Sequence, residues 1–346
     1  MSVTFKLSRR TAVLSAAALL ASPTLARAQS RVVNLYSSRH YDTDERLYSD
    51  FASATGIRVN RVEAQPEALI ERMRSEGVNS PADIFLTTDA GRIERANELG
   101  LLQPTASELL VSRIPAPLRD PDGHWFGFSS RARVLVVSKD RVKAGDITTY
   151  EDLADPKWRG KVLTRSSSYI YTQSLTGSVL AALGPERTEA WCRGVVANLA
   201  RPPRGGDTDQ IRAVAAGEGD IAVANTYYFG GLIKSQRPQD REVVEKVTLI
   251  FPNQADRGTH VNVSAAGMAR HAKNPEAARA FLEYLSTPSA QRHFVLGNSE
   301  YPAVEGVEWP AEIASFGRFK ADQLNARVFA RNNAEALRIM DRTGWK

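Results

Sequence analysis

The sequence predicts a two-lobed α/β protein whose hinged lobes are joined by strands that cross between them. Three observations carry this expectation. Short apolar runs with strand character alternate with segments of helical spacing along most of the chain. The connections are short, which favours β-α-β units and a largely parallel sheet. The length of 346 residues suits about two domains, yet no Pro/Gly/Ser-rich linker divides the chain. Strands passing between lobes leave no such linker, and they suit a two-crossover hinge.

Residues 32–36 form an apolar strand, and 44–55 has helical spacing with Leu47, Tyr48 and Phe51 on one face. Gly56 ends that helix, and 57–62 alternates like a strand. Pro66 opens a second helix with Leu69, Ile70 and Met73 inward and Gly77 at its end, and 83–86 is the next strand. Residues 133–137 read as a buried strand, and the β/α alternation resumes after Leu163. Residues 211–216 are helical, Gly217 and Gly219 break that helix, and 221–224 is a strand. Asn274-Pro275-Glu276 supplies a cap and a first-position proline for a helix whose apolar face holds Ala277, Phe281, Leu282 and Leu285. The expected first lobe is 29–129 with 240–297, and the second is 130–239 with 298–346.

The formal charge of +6 arises from 45 basic and 39 acidic residues. Lys6, Arg9, Arg10 and Arg27 fall in the first 28 residues, which hold no acid, so the remainder carries 41 basic and 39 acidic groups. That balance gives no electrostatic case for nucleic acid as a partner. The single cysteine, Cys192, excludes an internal disulfide and any cysteine-based zinc or iron–sulfur centre. Its helical, tryptophan-flanked setting reads as that of a buried small residue.

The N-terminus reads as a signal peptide over 1–28. Lys6, Arg9 and Arg10 form a positive region, 12–21 is a short apolar run, and Ala26-Arg27-Ala28 fits cleavage after Ala28. Arg9-Arg10 resembles a twin-arginine (Tat) signal, with Sec export as the alternative. No later stretch approaches about 18 apolar residues. The mature chain is therefore expected in the periplasm, without membrane insertion.

Ligands of α/β sheets sit beyond the carboxyl ends of strands. One such junction reads Ser37-Ser38-Arg39-His40-Tyr41, a second Arg165-Ser166-Ser167-Ser168-Tyr169-Ile170-Tyr171, and a third Asn225-Thr226-Tyr227-Tyr228-Phe229. Five of the ten tyrosines and one of five histidines thus gather at three strand-to-helix junctions. Oxygen donors suit hard ions, and imidazole suits iron, copper, nickel and zinc. Ionising a tyrosine at pH 7 costs about 4 kcal/mol, and four cost about 16 kcal/mol. A trivalent ion can offset that cost through its own charge, and ferric iron is the abundant biological example.

Several segments resemble those of the periplasmic ferric-ion-binding proteins of ABC-type iron uptake, bacterial counterparts of transferrin. They are Tyr36-Ser37-Ser38-Arg39-His40-Tyr41, Leu153-Ala154-Asp155-Pro156-Lys157-Trp158-Arg159-Gly160-Lys161-Val162, the pair Tyr227-Tyr228, and Arg257-Gly258-Thr259-His260-Val261-Asn262. The resemblance covers essentially the whole mature chain. It implies the type II periplasmic solute-binding fold, with iron ligands His40, Tyr41, Tyr171, Tyr227 and Tyr228 in an interlobe cleft. It implies Fe(III) as cargo, Fe(II) being a second candidate, with delivery to an inner-membrane ABC permease by a monomer that is not an enzyme. Tyr171 is preferred to Tyr169 because the family pattern Ile-Tyr-x-Gln matches Ile170-Tyr171-Thr172-Gln173; the family often has asparagine where Tyr169 stands. Some members use a bound anion and a carboxylate in place of the extra tyrosine. The presence of His40-Tyr41 with a tyrosine near 171 points to the subgroup that needs no synergistic anion.

Adjacent strand residues face opposite ways, so Tyr227 and Tyr228 can reach one ion only if their strand has ended, and Gly230-Gly231 would supply the turn. Arg39 and Arg165 either screen the phenolates or are solvated. Asp42, Asp44 and Glu45 read as first-turn helix acids, since no glycine stands where a calcium loop needs one. His124, His260, His271 and His293 show no metal-ligand spacing and read as structural. Two rival functions are a carrier of thiamine, a polyamine or an anion, and a secreted hydrolase. No Gly-x-Ser-x-Gly elbow or zinc signature supports the hydrolase.

Overall fold

The computed structural model describes residues 31–39 and 41–346. The signal peptide expected at 1–28 and the expected ligand His40 lie outside the described residues. The first lobe opens with β1 (Val32–Ser37), α1 (Asp44–Thr55), β2 (Arg58–Glu63), α2 (Pro66–Glu76), β3 (Ile84–Thr87), α3 (Ala90–Glu98), β4 (Leu102–Gln103) and α4 (Glu108–Arg113). Gly56 caps α1 in the left-handed conformation, φ 71°, and Pro66 stands in the first turn of α2. Strand β1 pairs in parallel with β2 and β3, as the β-α-β reading expects. Its alternation is clean: Val33 and Leu35 join one core with Phe51 and Ile84, while Tyr36 joins the opposite core with Leu69 and Phe85.

The strand β5 (Phe126–Ser138) connects the lobes. It runs for 13 residues and is buried throughout. The second lobe continues with β6 (Val162–Leu163), α5 (Ile170–Leu183), α6 (Pro185–Asn198), α7 (Asp207–Ala216), β7 (Ile221–Asn225), α8 (Thr226–Lys234), α9 (Pro238–Lys246) and β8 (Val247–Ile250). The chain then returns through β9 (Val261–Ala269), α10 (Pro275–Leu285), α11 (Pro288–Asn298) and β10 (Tyr301–Pro302), and ends with α12 (Ala311–Ala314) and α13 (Ala326–Thr343). The first half of β5 pairs with β9 and β10, and its second half pairs with β7 and β8. One strand therefore belongs to the sheets of both lobes.

Two details depart from the expectation. Only the β1–β2, β1–β3 and β6–β7 ladders are parallel; every ladder involving β5 or β9 is antiparallel. The crossing strands run against the lobe strands because each carries the chain from one lobe to the other. Strand β8, inside the stretch 240–297 expected for the first lobe, pairs with the second-lobe half of β5, Leu135 opposite Ile250. Helix α13 touches both lobes. Ala326, Phe329 and Ala330 pack with Ile93 and Trp125, whereas Ile339 and Met340 pack with Leu175 and Trp191. Buried Glu94 of α3 receives Arg327 at 3.3 Å, Arg331 at 2.9 Å and the Trp125 indole N–H at 2.8 Å. Among the described residues no helix is long and apolar enough to cross a membrane.

Candidate metal centre

Each candidate tyrosine stands where a strand hands over to a helix. Tyr41 follows β1, and its carbonyl accepts the Asp44 N–H that starts α1 at 2.9 Å. Tyr171 lies in the first turn of α5, entered through the extended Tyr169. Strand β7 ends at Asn225, and α8 begins at once with Thr226, so Tyr227 and Tyr228 occupy its first turn. This corrects the expectation for the glycine pair: Gly230 and Gly231 lie within the helix and make no turn. Gly230 instead lets α8 approach Ser299. Buried Asp207 fixes the junction, accepting the Asn225 N–H at 2.8 Å while pairing with Arg133 of β5. Phe229 and Leu232 anchor α8 in the core and leave Tyr227 and Tyr228 half-buried.

The folded chain brings these residues together from three junctions. The Tyr227 hydroxyl lies 3.4 Å from that of Tyr171. The rings of Tyr227 and Tyr228 are 4.3 Å apart between centroids. Tyr169 packs its ring edge-on against Tyr171 at 5.0 Å and lies under the Arg165 guanidinium. Tyr41 approaches from the first lobe, its ring centroid 4.8 Å from the Arg39 guanidinium carbon, and its ionisation would raise Tyr227.

Without a cation Tyr41, Tyr227 and Tyr228 resist ionisation. Burial, then the Glu300 carboxylate, pushes Tyr41 up to about 12, against the opposing pull of Arg39 and Arg131. Tyr227 is held well above the usual phenol range by burial, then by Tyr171, Tyr228 and Tyr41. Burial, followed by Asp207 and Tyr171, raises Tyr228. The placement of Tyr171, Tyr227 and Tyr228 at helix N-termini favours negative charge there, by about 0.3–1 kcal/mol each. Such a dipole term is too small to ionise a phenol held this high. A multiply charged cation is needed, and the donor set fits a hard one.

Arg131 of β5 is a component the sequence reading did not single out. It is 1% exposed, and its guanidinium lies 5.9 Å from the Tyr171 ring centroid. Nη2 donates to the Thr88 carbonyl at 2.6 Å, and Nη1 stands 3.9 Å from Glu300. The phenols of Tyr171, Tyr227 and Tyr41 all act on it electrostatically. The signal was present in Arg131-Ala132-Arg133: two arginines at strand spacing beside a fully apolar run. Glu300, also buried, accepts from Ser129 at 2.6 Å and pairs with Arg39 at 3.1 Å. Arg39 is 1% exposed and not solvated.

His260 and His124 have partners of their own. Burial, with Arg133 and Arg257 nearby, lowers His260 to about 3, and its ring packs on Phe329. His124 lies with Asp120 and Asp122, ligand atoms all within 4.8 Å, a grouping its sequence spacing did not reveal. Arg327 already supplies the cation there, at 3.1 Å from Asp120 and 2.6 Å from Asp122. Cys192 is buried beside Trp191 and Val195, and burial pushes its thiol up to about 12.

Residues 79–321 match the family model described as bacterial extracellular solute-binding protein. The chain belongs to that family. It is 52% identical to iron uptake protein A2 of Synechocystis over 99% of this chain and 100% of the relative. Among solved structures it resembles a Trichodesmium protein in complex with iron and citrate ligands, with a TM-score of 0.89 and 53% identity, covering 91% of this chain and 100% of that one. It also resembles the ferric binding protein of Campylobacter jejuni, with a TM-score of 0.85 and 42% identity over 91% and 100% of the two chains. These neighbours carry the two-lobed binding-protein fold that the alternating elements and missing linker anticipate.

Proposed function

We propose that this protein captures ferric iron in the periplasm, in the cleft between its lobes, and delivers it to an inner-membrane ABC permease. The observation that carries the proposal is the meeting of Tyr171 and Tyr227, hydroxyls 3.4 Å apart, with Tyr41 and Tyr228 beside them. The names of its relatives, an iron uptake protein and ferric binding proteins, support the same cargo. In this reading Tyr41, Tyr171, Tyr227 and Tyr228 bind the ion as phenolates, and His40 adds an imidazole. The first lobe gives His40 and Tyr41 and the second gives the rest, so the ion draws the lobes together by contacting both.

Four phenolates around a trivalent ion leave a net charge of −1, and buried Arg131, on which three of the phenols act, lies close to it. With that cation in place the proposal includes no synergistic anion. The protein acts as a monomeric carrier and performs no catalytic step.

Titration with ferric citrate, followed by visible absorption, tests the assignment. The intact protein develops a phenolate-to-iron charge-transfer band. The Tyr227→Phe, Tyr228→Phe double variant loses most of the affinity and of the band's intensity, whereas Tyr169→Phe keeps both. A double variant that binds ferric iron as the intact protein does refutes the ligand set.

A further inference from the structure

Building on the proposed ferric site, we propose that Arg39 is a positioning residue that holds the Tyr41 ring in the orientation the ion requires. Its guanidinium is fixed in plane by three separate parts of the fold. Nε and Nη2 form a fork on the Asp44 carboxylate of α1 at 3.0 and 3.1 Å. Nη1 donates to Ser264 of β9 at 2.7 Å and to Glu300, between α11 and β10, at 3.1 Å. Two rings lie against it as well: its central carbon is 4.8 Å from the Tyr41 ring centroid and 4.8 Å from that of Phe294. Tyr41 thus packs against a guanidinium that a fully buried phenylalanine also contacts.

The backbone is tied at both ends of this arrangement. The Arg39 N–H donates to Ser37 Oγ at 3.0 Å, and that hydroxyl donates to the Arg39 carbonyl at 2.8 Å. The Tyr41 carbonyl is held by the first turn of α1.

Charge alone does not explain this construction. Asp44 and Glu300 already pair with Arg39, so its charge is shared with two buried carboxylates. What arginine adds is a flat, rigid surface on which an aromatic ring stacks. Lysine carries the same charge but has no plane and no fork. A stacked ring has less orientational freedom to lose when the ion binds, which is the advantage of a preorganised ligand.

A buried ion cluster could also serve stability alone, and a double-mutant cycle separates the two roles. Ferric affinity, measured by competition with citrate, and the charge-transfer band are compared in the intact protein, Arg39→Lys, Tyr41→Phe and the pair. Acting through Tyr41, Arg39→Lys weakens ferric binding by about 10–100-fold and moves the band toward that of Tyr41→Phe. In the Tyr41→Phe background the same change alters affinity by no more than about twofold. Equal losses in both backgrounds, or an Arg39→Lys protein that binds normally, overturn the inference. Should Arg39→Lys fail to fold, Phe294→Leu removes the backing ring and leaves the fork intact; the same cycle applies, and additive losses or no loss overturn the inference. An intact protein that gives no band with ferric citrate refutes the ferric site itself, and this inference with it.

Discussion

Ferric binding at pH 7 is expected to release about four protons, one from each phenol that becomes a ligand. A phenol ordinarily ionises near pH 10, and burial with the Glu300 carboxylate pushes Tyr41 up to about 12. Ionising Tyr41 alone at pH 7 therefore costs about 7 kcal/mol. Tyr227 and Tyr228 are shifted in the same direction by burial and by neighbouring negative charge. In the proposed site each phenol gives up its proton to bind the ion, so protons compete with iron. Binding is strong at high pH and is lost as pH falls, with the apparent constant changing by about four decades per pH unit. The assay is pH-stat titration with ferric nitrilotriacetate, corrected for the protons the chelator takes up. Tyr228→Phe releases about three protons, and Tyr169→Phe still releases about four. A release of about two or fewer from the intact protein, or the same release from Tyr228→Phe, refutes the claim that four phenolates hold the ion.

Further outcomes follow from the surroundings of the site. Arg131→Gln removes the buried cation that offsets the phenolates and should weaken ferric affinity by about 10–100-fold in citrate competition. At Gly230 an added Cβ would stand 2.9 Å from the Cβ of Ser299, so Gly230→Ala should destabilise by about 1–3 kcal/mol and disturb the band by displacing α8. Gly231 has nothing within 4 Å of such a Cβ, so Gly231→Ala should be neutral or stabilising by up to about 1 kcal/mol in thermal unfolding. Asp207→Asn takes the charge from the buried pair with Arg133 and should cost about 3–5 kcal/mol of stability in the iron-free protein.

The local elements were legible where their signals are local. Helices α1 and α2 announce themselves by apolar spacing and by a glycine or proline at the end, and the structure keeps Leu47, Phe51, Leu69 and Met73 inward. The first half of β5 was not legible. Gly127, Ser129, Ser130 and Arg131 break its apolar pattern, and its burial comes from β9 and β10, more than a hundred residues away. Helix α5 carries little amphipathic signal because it is covered on several sides, with Thr172, Ser174, Thr176 and Ser178 all buried. At the site, the tyrosines stood out because phenols at strand ends are chemically unusual. Arg131 was marked only by its strand spacing from Arg133, and Glu300 not at all, because a charge before a strand has no meaning until its neighbours are known.

Donor chemistry is written in the residue types. Phenols placed after strands ask for a hard cation whatever the surrounding fold, because their ionisation is costly in any setting. The handover from β7 to α8, the escort of Tyr41 by Arg39, and the choice of Tyr171 to face Tyr227 arise only when the crossing strands bring distant segments together. The physical reason is one of range: capping and periodicity act over a few residues, whereas the bonds of Arg39 to Ser264 and Glu300 join segments more than two hundred residues apart.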